Sequence, residues 1–256
     1  MHKLEEKIRN ANAQGRYALI PFLTAGFPDR ARFWEALSEL DKSGADIIEI
    51  GVPFSDPVAD GPVVEGASRR ALASGITLRE ILKELKERRK NIGAAIVLMG
   101  YYNPFLQYGI SLLAKDAAEA GVDGLIVPDL PLDEDRRLKE ELKERDIALI
   151  PLVGPNTPPE RMELYAENAE GYVYVVSVMG ITGERKKVAS HVGQLIDRAR
   201  ESFKIPVALG FGLRSPEQLD ILPENSRPDA AVFGSALLTH LDSGKSAAEF
   251  MTQWQK

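Results

Sequence analysis

The chain of 256 residues contains no cysteine and only three histidines. Both shortages limit the metal ligands, nucleophiles and bases that the protein can use. Without cysteine it has no disulfide, no thiolate metal ligand and no cysteine nucleophile. The histidines are His2, His191 and His240, and none of them stands at the end of a predicted strand. We therefore expect no metal site and no imidazole base.

Long apolar segments and an excess of positive charge are also missing. No apolar run reaches membrane-spanning length, and the first ten residues lack the apolar core of a signal peptide. The formal net charge of -6 argues against nucleic acid or an anionic membrane as a partner, since such binders carry a basic excess. We expect a cytoplasmic protein in which any phosphate is held locally.

Short apolar runs alternate with segments of helical periodicity. Between residues 78 and 85 leucine and isoleucine follow the helical period, and Thr77 with Glu80 forms the pattern of a capping box. The eight apolar runs are Ala18–Leu23, Asp46–Gly51, Ala94–Met99, Gly124–Val127, Ile147–Val153, Tyr172–Val178, Pro206–Gly210 and Ala230–Phe233. Eight βα units at this length predict an α/β fold, a single-domain (β/α)8 TIM barrel over residues 1–256. A doubly wound open sheet is the alternative that the strand number leaves open.

Two smaller features refine this prediction. Gly44-Ala-Asp46 and Gly121-Val-Asp123 are copies of a weak repeat in which glycine ends a helix just before an apolar run. Near the N-terminus, Leu4, Ile8 and Ala11 lie on one face of a predicted extra helix. We expect this helix to close the floor of the barrel.

Glycines follow the last two apolar runs, where a (β/α)8 barrel commonly binds phosphate. Gly210-Phe-Gly212 ends the seventh run, and Phe233-Gly-Ser235 ends the eighth at a predicted helix start. Glycine allows close approach of the backbone to an anion, and the free N–H groups of a helix start favour negative charge. These features predict a short phosphate-binding helix after strand eight. No third glycine completes a dinucleotide fingerprint, so no nicotinamide cofactor is expected.

Two carboxylates stand near the same predicted end of the barrel. Glu49 lies in the second apolar run, and Asp60 lies in the Pro- and Gly-containing loop that follows. Two carboxyl groups in different surroundings can act as the acid and the base of one reaction. The structural alternative for Glu49 is a buried strand glutamate that forms an ion pair with a helix arginine. No lysine stands at a strand end to form a Schiff base. A substrate cleaved here at a carbon–carbon bond must therefore carry its own electron sink, as an indole protonated at carbon 3 does.

Several distinctive motifs are distributed along the whole chain: Pro21-Phe-Leu-Thr-Ala-Gly26, residues 49–62, Tyr101-Tyr-Asn-Pro104, Val127-Pro-Asp-Leu-Pro131, residues 177–183, Gly210-Phe-Gly212 and Phe233-Gly-Ser235. Together they resemble the motifs of tryptophan synthase α subunits. The resemblance implies retro-aldol cleavage of indole-3-glycerol phosphate to indole and glyceraldehyde 3-phosphate, late in tryptophan biosynthesis, without a cofactor. It also implies an αββα complex in which indole passes through a tunnel to a β subunit that carries pyridoxal phosphate.

The resemblance further implies roles for individual residues. Glu49 matches the principal acid–base, Asp60 the carboxylate on the indole N–H, and Tyr174 a tyrosine near the glycerol chain. The implied phosphate cradle is Gly183, Gly212, Gly234 and Ser235, and the implied indole pocket is Phe22, Leu98, Tyr101, Val127, Val153 and Phe211. Ordinary barrel packing is the alternative interpretation of these apolar residues. We expect Tyr172 and Tyr174 to face opposite sides of their strand.

Two polar, glycine-containing segments, residues 53–62 and about 179–190, are predicted to close over the site. The resemblance implies that Thr182 then meets Asp60, and that Asp129 and Thr182 organise the closed site. Capping of the following helix is the alternative for Asp129. The implied contacts with the β subunit are Asp56, Pro57, Asn103, Pro104, Phe105 and Pro131. Turn formation explains these residues without a partner.

Three other functions stay open from the sequence. A stand-alone lyase that releases free indole has the same catalytic residues. An isomerase or epimerase of another phosphosugar needs a second base or a metal cluster at the barrel mouth, and the sequence offers neither. A noncatalytic scaffold needs neither the two carboxylates nor the phosphate cradle.

Overall fold

A computed structural model of the chain describes residues 1–130, 134, 136–176, 185–210 and 212–255. In this part of the chain the strands are β1 (Ala18–Thr24), β2 (Ile47–Gly51), β3 (Ala95–Met99), β4 (Gly124–Ile126), β5 (Ala148–Leu149), β6 (Leu152–Val153), β7 (Val173–Val176), β8 (Val207–Gly210) and β9 (Ala230–Phe233). The α-helices are α1 (Lys3–Ala13), α2 (Arg30–Lys42), α3 (Pro62–Ala73), α4 (Leu78–Arg88), α5 (Tyr102–Tyr108), α6 (Ile110–Glu119), α7 (Arg136–Lys143), α8 (Pro159–Ala166), α9 (Arg185–Ser202), α10 (Glu217–Asp220), α11 (Ser235–Asp242) and α12 (Ala247–Met251). No helix in these ranges is long and apolar enough to cross a membrane.

The fifth predicted strand is divided into β5 and β6, and this division shows how the sheet closes. The strands are hydrogen-bonded in the order β5-β4-β3-β2-β1-β9-β8-β7-β6, and all pairs are parallel. Between β5 and β6, Ile150 N donates to Leu125 O at 2.9 Å, and Pro151 O accepts from Tyr174 N at 2.9 Å. Proline has no N–H, so the ladder is interrupted at Pro151. The sheet is therefore a closed barrel of eight strand positions; the barrel prediction is confirmed and the open sheet is wrong.

An aspartate before each of three strands stabilises the N-terminal end of the barrel. Asp46, Asp123 and Asp229 each accept a hydrogen bond from a backbone N–H of the neighbouring strand. The donors are Leu19 at 2.9 Å, Ile96 at 2.9 Å and Val207 at 2.7 Å. Each carboxylate also pairs with an arginine, and these are Arg16, Arg89 and Arg200. Asp46 and Asp123 belong to the glycine-containing repeat found in the sequence. Asp229 was missed because it follows Arg227-Pro228 and has no glycine two residues before it.

Helix α1 closes this end of the barrel, as its apolar pattern predicts. Leu4, Ile8 and Ala11 are fully buried among inward-facing strand residues such as Ile47 and Val97. Polar side chains of α1 bond to segments that precede strands: Lys3 to Asp123, Lys7 to Gly93 O and Asn12 to Asp229 O. The C-terminal ends of the strands are thus the open end, where a site can form.

Strand residues divide between two apolar layers. Inward residues such as Ala18, Ile20 and Ala95 fill the barrel, while outward residues such as Ile48 and Leu125 pack against the helices. The helices that cover the sheet have the predicted amphipathic pattern, and the capping box at the start of α4 is confirmed. Because successive side chains alternate, the phase of each strand decides which residues can reach the site.

Candidate active site

A cavity of about 310 Å³ opens at the C-terminal ends of the strands. Its lining combines carboxylates, apolar side chains and glycine-containing backbone. It consists of Phe22, Glu49, residues 60–64, Met99, Tyr174, Gly212, Leu213, Arg214, Val232, Gly234, Ser235 and Ala236. Of the residues predicted from the sequence, the structure brings together Phe22, Glu49, Asp60, Tyr174, Gly212, Gly234 and Ser235.

Glu49 is an inward-facing residue of β2 and is only 1% exposed. It lies two residues after Ile47, so both side chains are on the inner face. In the sheet it is aligned with Phe22 of β1 and Val97 of β3. Its Oε2 is buried and has no hydrogen-bond partner among the described residues. The structural alternative, in which Glu49 forms an ion pair with a helix arginine, is not what the described residues show.

The surroundings of the two carboxyl groups hold their pKa values apart. Burial raises the pKa of Glu49 to about 8, and the negative charge of Asp60 adds to this rise. Burial also raises the pKa of Asp60, to about 6, while a hydrogen bond from the Tyr101 hydroxyl opposes the rise. At neutral pH Glu49 is therefore mainly a carboxylic acid and Asp60 mainly a carboxylate. Such a pair can supply a proton donor and an anion in one cavity.

Tyr101 attaches the loop that carries Asp60 to the end of β3. Tyr101 is buried, and its hydroxyl accepts a hydrogen bond from Ala59 N at 2.9 Å. The carboxylate of Asp129 accepts from Tyr102 N at 2.8 Å, at the start of α5. Tyr101 is thus a support for the Asp60 loop and is not among the cavity-lining residues. Asp129 therefore supports the start of α5, and its predicted capping of the helix that follows in the chain falls on residues 131–135, most of which lie outside the described residues.

Tyr172 and Tyr174 both face the barrel interior. The prediction that they face opposite sides is wrong, because residues two apart on a strand share a face. Burial and the charge of Glu49 raise the pKa of both hydroxyls well above the usual value. Gly210 makes room for Tyr174, since a side chain at position 210 would overlap the tyrosine hydroxyl. Tyr174 therefore presents a neutral hydroxyl to the cavity.

Two neighbouring strand ends bring backbone N–H groups to one edge of the cavity. β9 ends at Phe233, and α11 begins at Ser235 directly after Gly234. A Cβ at Gly234 would approach Cδ1 of Phe22 to 2.9 Å, so only glycine fits between that ring and the helix start. Gly212, after β8, has a φ of 88°, which favours glycine. The helix start and the Gly212 turn can bind an anion. Gly183 and Phe211 lie outside the described residues.

Three residues predicted to wall the indole pocket face away from it. Leu98, Val127 and Val153 are buried in the layer between the sheet and the helices. Each is one position out of phase with the inward residues of its strand, so its side chain lies on the opposite face. The neighbours in phase are Met99, Ile126 and Leu152. Of these three neighbours, Met99 is the one that lines the cavity in the described part of the chain.

The cavity also contains residues that sequence reasoning missed. Met99 and Val232 line it, together with Arg214. Val232 lies two residues after the inward-facing Ala230 on β9, so the strand period could have found it once the phase was known. For Arg214 the signal was a cation two residues after the predicted phosphate-binding Gly212.

The residues predicted to contact a β subunit differ in exposure. Four of them are exposed or half-buried at this end of the barrel: Asp56 and Pro57 on a loop, and Asn103 and Pro104 in the first turn of α5. Phe105 is 0% exposed, and its prediction as a contact residue is wrong because the inner face of α5 packs it into the core. The exposed apolar side chains nearby are instead Val58 and Leu106. Pro131 and Thr182 lie outside the described residues.

Comparison with known proteins gives consistent matches over the whole length. The model of the tryptophan synthase alpha chain family matches residues 8–256. The tryptophan synthase alpha chain of Desulfovibrio desulfuricans is 68% identical over 255 residues, covering 100% of both chains. That of Nitratidesulfovibrio vulgaris is 60% identical over 252 residues, covering 98% of this chain and 97% of its own. A solved tryptophan synthase subunit alpha from Legionella pneumophila has a TM-score of 0.86 at 32% identity, covering 98% of this chain and 94% of that one.

Proposed function

The chain belongs to the tryptophan synthase alpha chain family and cleaves indole-3-glycerol phosphate, and we propose that Glu49 and Asp60 perform this retro-aldol reaction. The observation that carries the proposal is one cavity with two carboxyl groups of separated pKa values. The anion-binding edge at Gly212, Gly234 and Ser235 lies on the same cavity, where it can hold the substrate's phosphate.

In the first step, the carboxylic acid of Glu49 donates its proton to carbon 3 of the indole ring. The ring then carries a positive charge that is shared with its N–H. Asp60, as a carboxylate, accepts a hydrogen bond from this N–H and stabilises the charge as it develops. This division of roles requires Glu49 protonated and Asp60 ionised, as the direction of their pKa shifts provides at neutral pH.

In the second step, the ionised Glu49 accepts the proton of the hydroxyl on the glycerol carbon bonded to the ring. The carbon–carbon bond breaks, its electron pair returns to the ring to give neutral indole, and the hydroxyl carbon becomes the aldehyde of glyceraldehyde 3-phosphate. Glu49 ends the cycle protonated, so no net proton is consumed. Because the ring itself accepts the electrons, we propose that the chain needs no cofactor.

The remaining site residues bind and orient the substrate. We assign Tyr174 to the glycerol chain, since its neutral hydroxyl faces the cavity, and Phe22, Met99 and Val232 to the indole ring. Tyr101 and Asp129 position the loop and helix at the mouth. Three further roles stay proposals: phosphate binding by Gly183, indole binding by Phe211 and loop closure by Thr182.

Family membership implies a β subunit as partner. We propose an αββα complex in the cytoplasm, in which indole passes to the β subunit and pyridoxal phosphate is bound by that subunit alone. The mouth surface around Asp56, Pro57, Asn103 and Pro104 is the proposed contact, and its exposed apolar Val58 and Leu106 favour this use. Pro131 is retained as a predicted contact residue.

The first test is release of indole from indole-3-glycerol phosphate by the purified chain, alone and with a tryptophan synthase β subunit. We expect slow release alone and much faster release with the partner, because closure of loops over a substrate completes a catalytic site and the proposed contact surface lies at the mouth. Equal and fast release in both cases would favour the stand-alone lyase, which the comparisons do not support. No release in either case would contradict the catalytic assignment. Family membership argues against the phosphosugar isomerase and the scaffold.

The pH profile of cleavage is expected to be bell-shaped. kcat/KM should rise with pH as Asp60 ionises, near pH 6, and fall as Glu49 loses its proton, near pH 8. The rate rises on the acidic side because Asp60 acts as a carboxylate, which forms above its pKa. It falls on the alkaline side because Glu49 acts as a carboxylic acid, which exists below its pKa. Steady-state rates from pH 5 to about pH 9.5 measure both limbs. A rate that keeps rising above pH 8 would mean that Glu49 is not the proton donor.

A further inference from the structure

Arg214 is the only cationic residue among the described residues that line the cavity. The same lining contains Glu49 and Asp60, and the whole chain has a net charge of -6. A phosphate monoester carries a charge of about -1.5 to -2 at neutral pH. The backbone N–H groups at Gly234 and Ser235 donate hydrogen bonds but carry no net charge. Among the described residues of this lining, the full positive charge comes from Arg214.

The backbone around Arg214 is held in place by one side chain. Gln218 Oε1 accepts hydrogen bonds from Arg214 N at 2.5 Å and from Ser215 N at 3.2 Å, while its Nε2 donates to Gly212 O at 3.4 Å. This segment follows β8, which pairs with β9, and β9 leads directly to Gly234 and Ser235. Arg214 is therefore anchored on the strand end next to the proposed phosphate cradle.

The charge of Arg214 is not used in an ion pair within the described part of the chain. Two other arginines of the C-terminal part of the sequence do form such pairs: Arg200 pairs with Asp229, and Arg227 pairs with Asp220. Arg214 is exposed, and the hydrogen bond of its backbone N–H leaves the guanidinium free to meet a ligand. Arginine suits this purpose, since its planar fork matches phosphate oxygens.

We propose that Arg214 determines specificity for the phosphate of the substrate by supplying the positive charge that the glycine cradle lacks. This inference rests on the proposed function, because it assumes that the cradle at Gly212, Gly234 and Ser235 holds that phosphate. Arg214 offsets the repulsion between the incoming dianion and the carboxylate of Asp60. It also favours phosphorylated over dephosphorylated indole glycerol. Ground state and transition state share the phosphate, so Arg214 acts on KM rather than on kcat.

The kinetic test compares Arg214→Gln with wild type, with the β subunit present. We expect KM for indole-3-glycerol phosphate to rise about tenfold and kcat to stay within about twofold, since an exposed charged hydrogen bond lies at the low end of its range. The KM of the wild type should increase with added salt, and this increase should be much smaller in Arg214→Gln. Arg214→Lys keeps the charge and should recover most of the affinity.

A matched control separates the local charge from the overall charge of the chain. Lys90 is exposed at the N-terminal end of β3, in the short 3-10 helix Arg89–Asn91, so Lys90→Gln makes the same change in net charge far from the cavity. We expect Lys90→Gln to behave as wild type. Equal KM values and salt dependence in Arg214→Gln and Lys90→Gln would overturn the proposal.

Direct binding keeps this result independent of catalysis. Glycerol 3-phosphate, titrated by calorimetry, is expected to bind about tenfold more weakly to Arg214→Gln than to Lys90→Gln. If the chain lacked lyase activity but showed this difference, the proposed reaction would fail while the role of Arg214 in phosphate recognition would stand. If cleavage were normal and the two variants bound the probe equally, only the role of Arg214 would fail.

Discussion

Replacing Glu49 by glutamine is expected to lower kcat for indole release by at least about a thousandfold, near the upper range for a group that transfers protons. Glutamine keeps the shape of the side chain but has no proton to give to carbon 3 and no carboxylate to accept the hydroxyl proton. Binding of glycerol 3-phosphate should change little, since the anion-binding edge is formed by other residues. Turnover is measured with saturating substrate and β subunit, and binding by calorimetry.

The controls for this variant concern folding and charge. Burial raises the pKa of Glu49 from 4.5 to about 8, so between these values the ionised unfolded chain is favoured and stability falls with rising pH. Glutamine cannot ionise, and we expect Glu49→Gln to melt no lower than wild type at pH 8. Glu6→Gln makes the same change at an exposed position of α1, at the closed end of the barrel. If Glu49→Gln kept turnover within about tenfold of Glu6→Gln, Glu49 would not be the acid–base.

Replacing Asp60 by asparagine is expected to lower kcat about a hundredfold, the loss typical when one group that stabilises developing charge is removed. Asparagine can still contact the indole N–H, but it lacks the negative charge that opposes the positive ring. The variant has a second expected effect. The charge of Asp60 contributes to the raised pKa of Glu49, so its removal should shift the alkaline limb of the pH profile to lower pH. Rates at several pH values test both effects.

Asp56→Asn is the matched control, because Asp56 lies on the same loop and is exposed. It should retain nearly the wild-type rate when the chain is assayed alone. A near-wild-type rate in Asp60→Asn would show that another group stabilises the indole ring. A large loss of rate with an unchanged alkaline limb would separate the two roles of Asp60, and would contradict the coupling between the carboxyl groups.

The strands could be predicted because a barrel strand is buried on both faces and is therefore a short apolar run. β1 is buried at all seven positions, and its run was found almost to the residue. The fifth run was predicted as one strand, but Pro151 lacks an N–H and interrupts the ladder. The apolar content of the sequence locates this run. Its division into two strands depends on hydrogen bonds to β4 and β7, which the run's own sequence does not show.

The pocket walls were harder to predict because both faces of these strands are apolar. Leu98 and Met99 are adjacent apolar residues of β3, and only the alignment of Gly51 with Met99 puts the second on the inner face. Phe105 shows the same difficulty on a helix, since its neighbour Leu106 is exposed while Phe105 is buried. Composition does not distinguish neighbours whose only difference is the direction of the side chain.

The sequence by itself determined the order of strands and helices, the floor helix α1, the two carboxylates and the glycines after the last two strands. These features depend on local patterns: apolar period, glycine freedom and chain order. Only the tertiary structure decided the phase of each strand, the separation of the pKa values of Glu49 and Asp60, and the presence of Arg214 beside the anion-binding edge. The reason is physical, because burial, electrostatic interaction and shared lining arise between residues that are distant in the chain and meet only when the barrel closes.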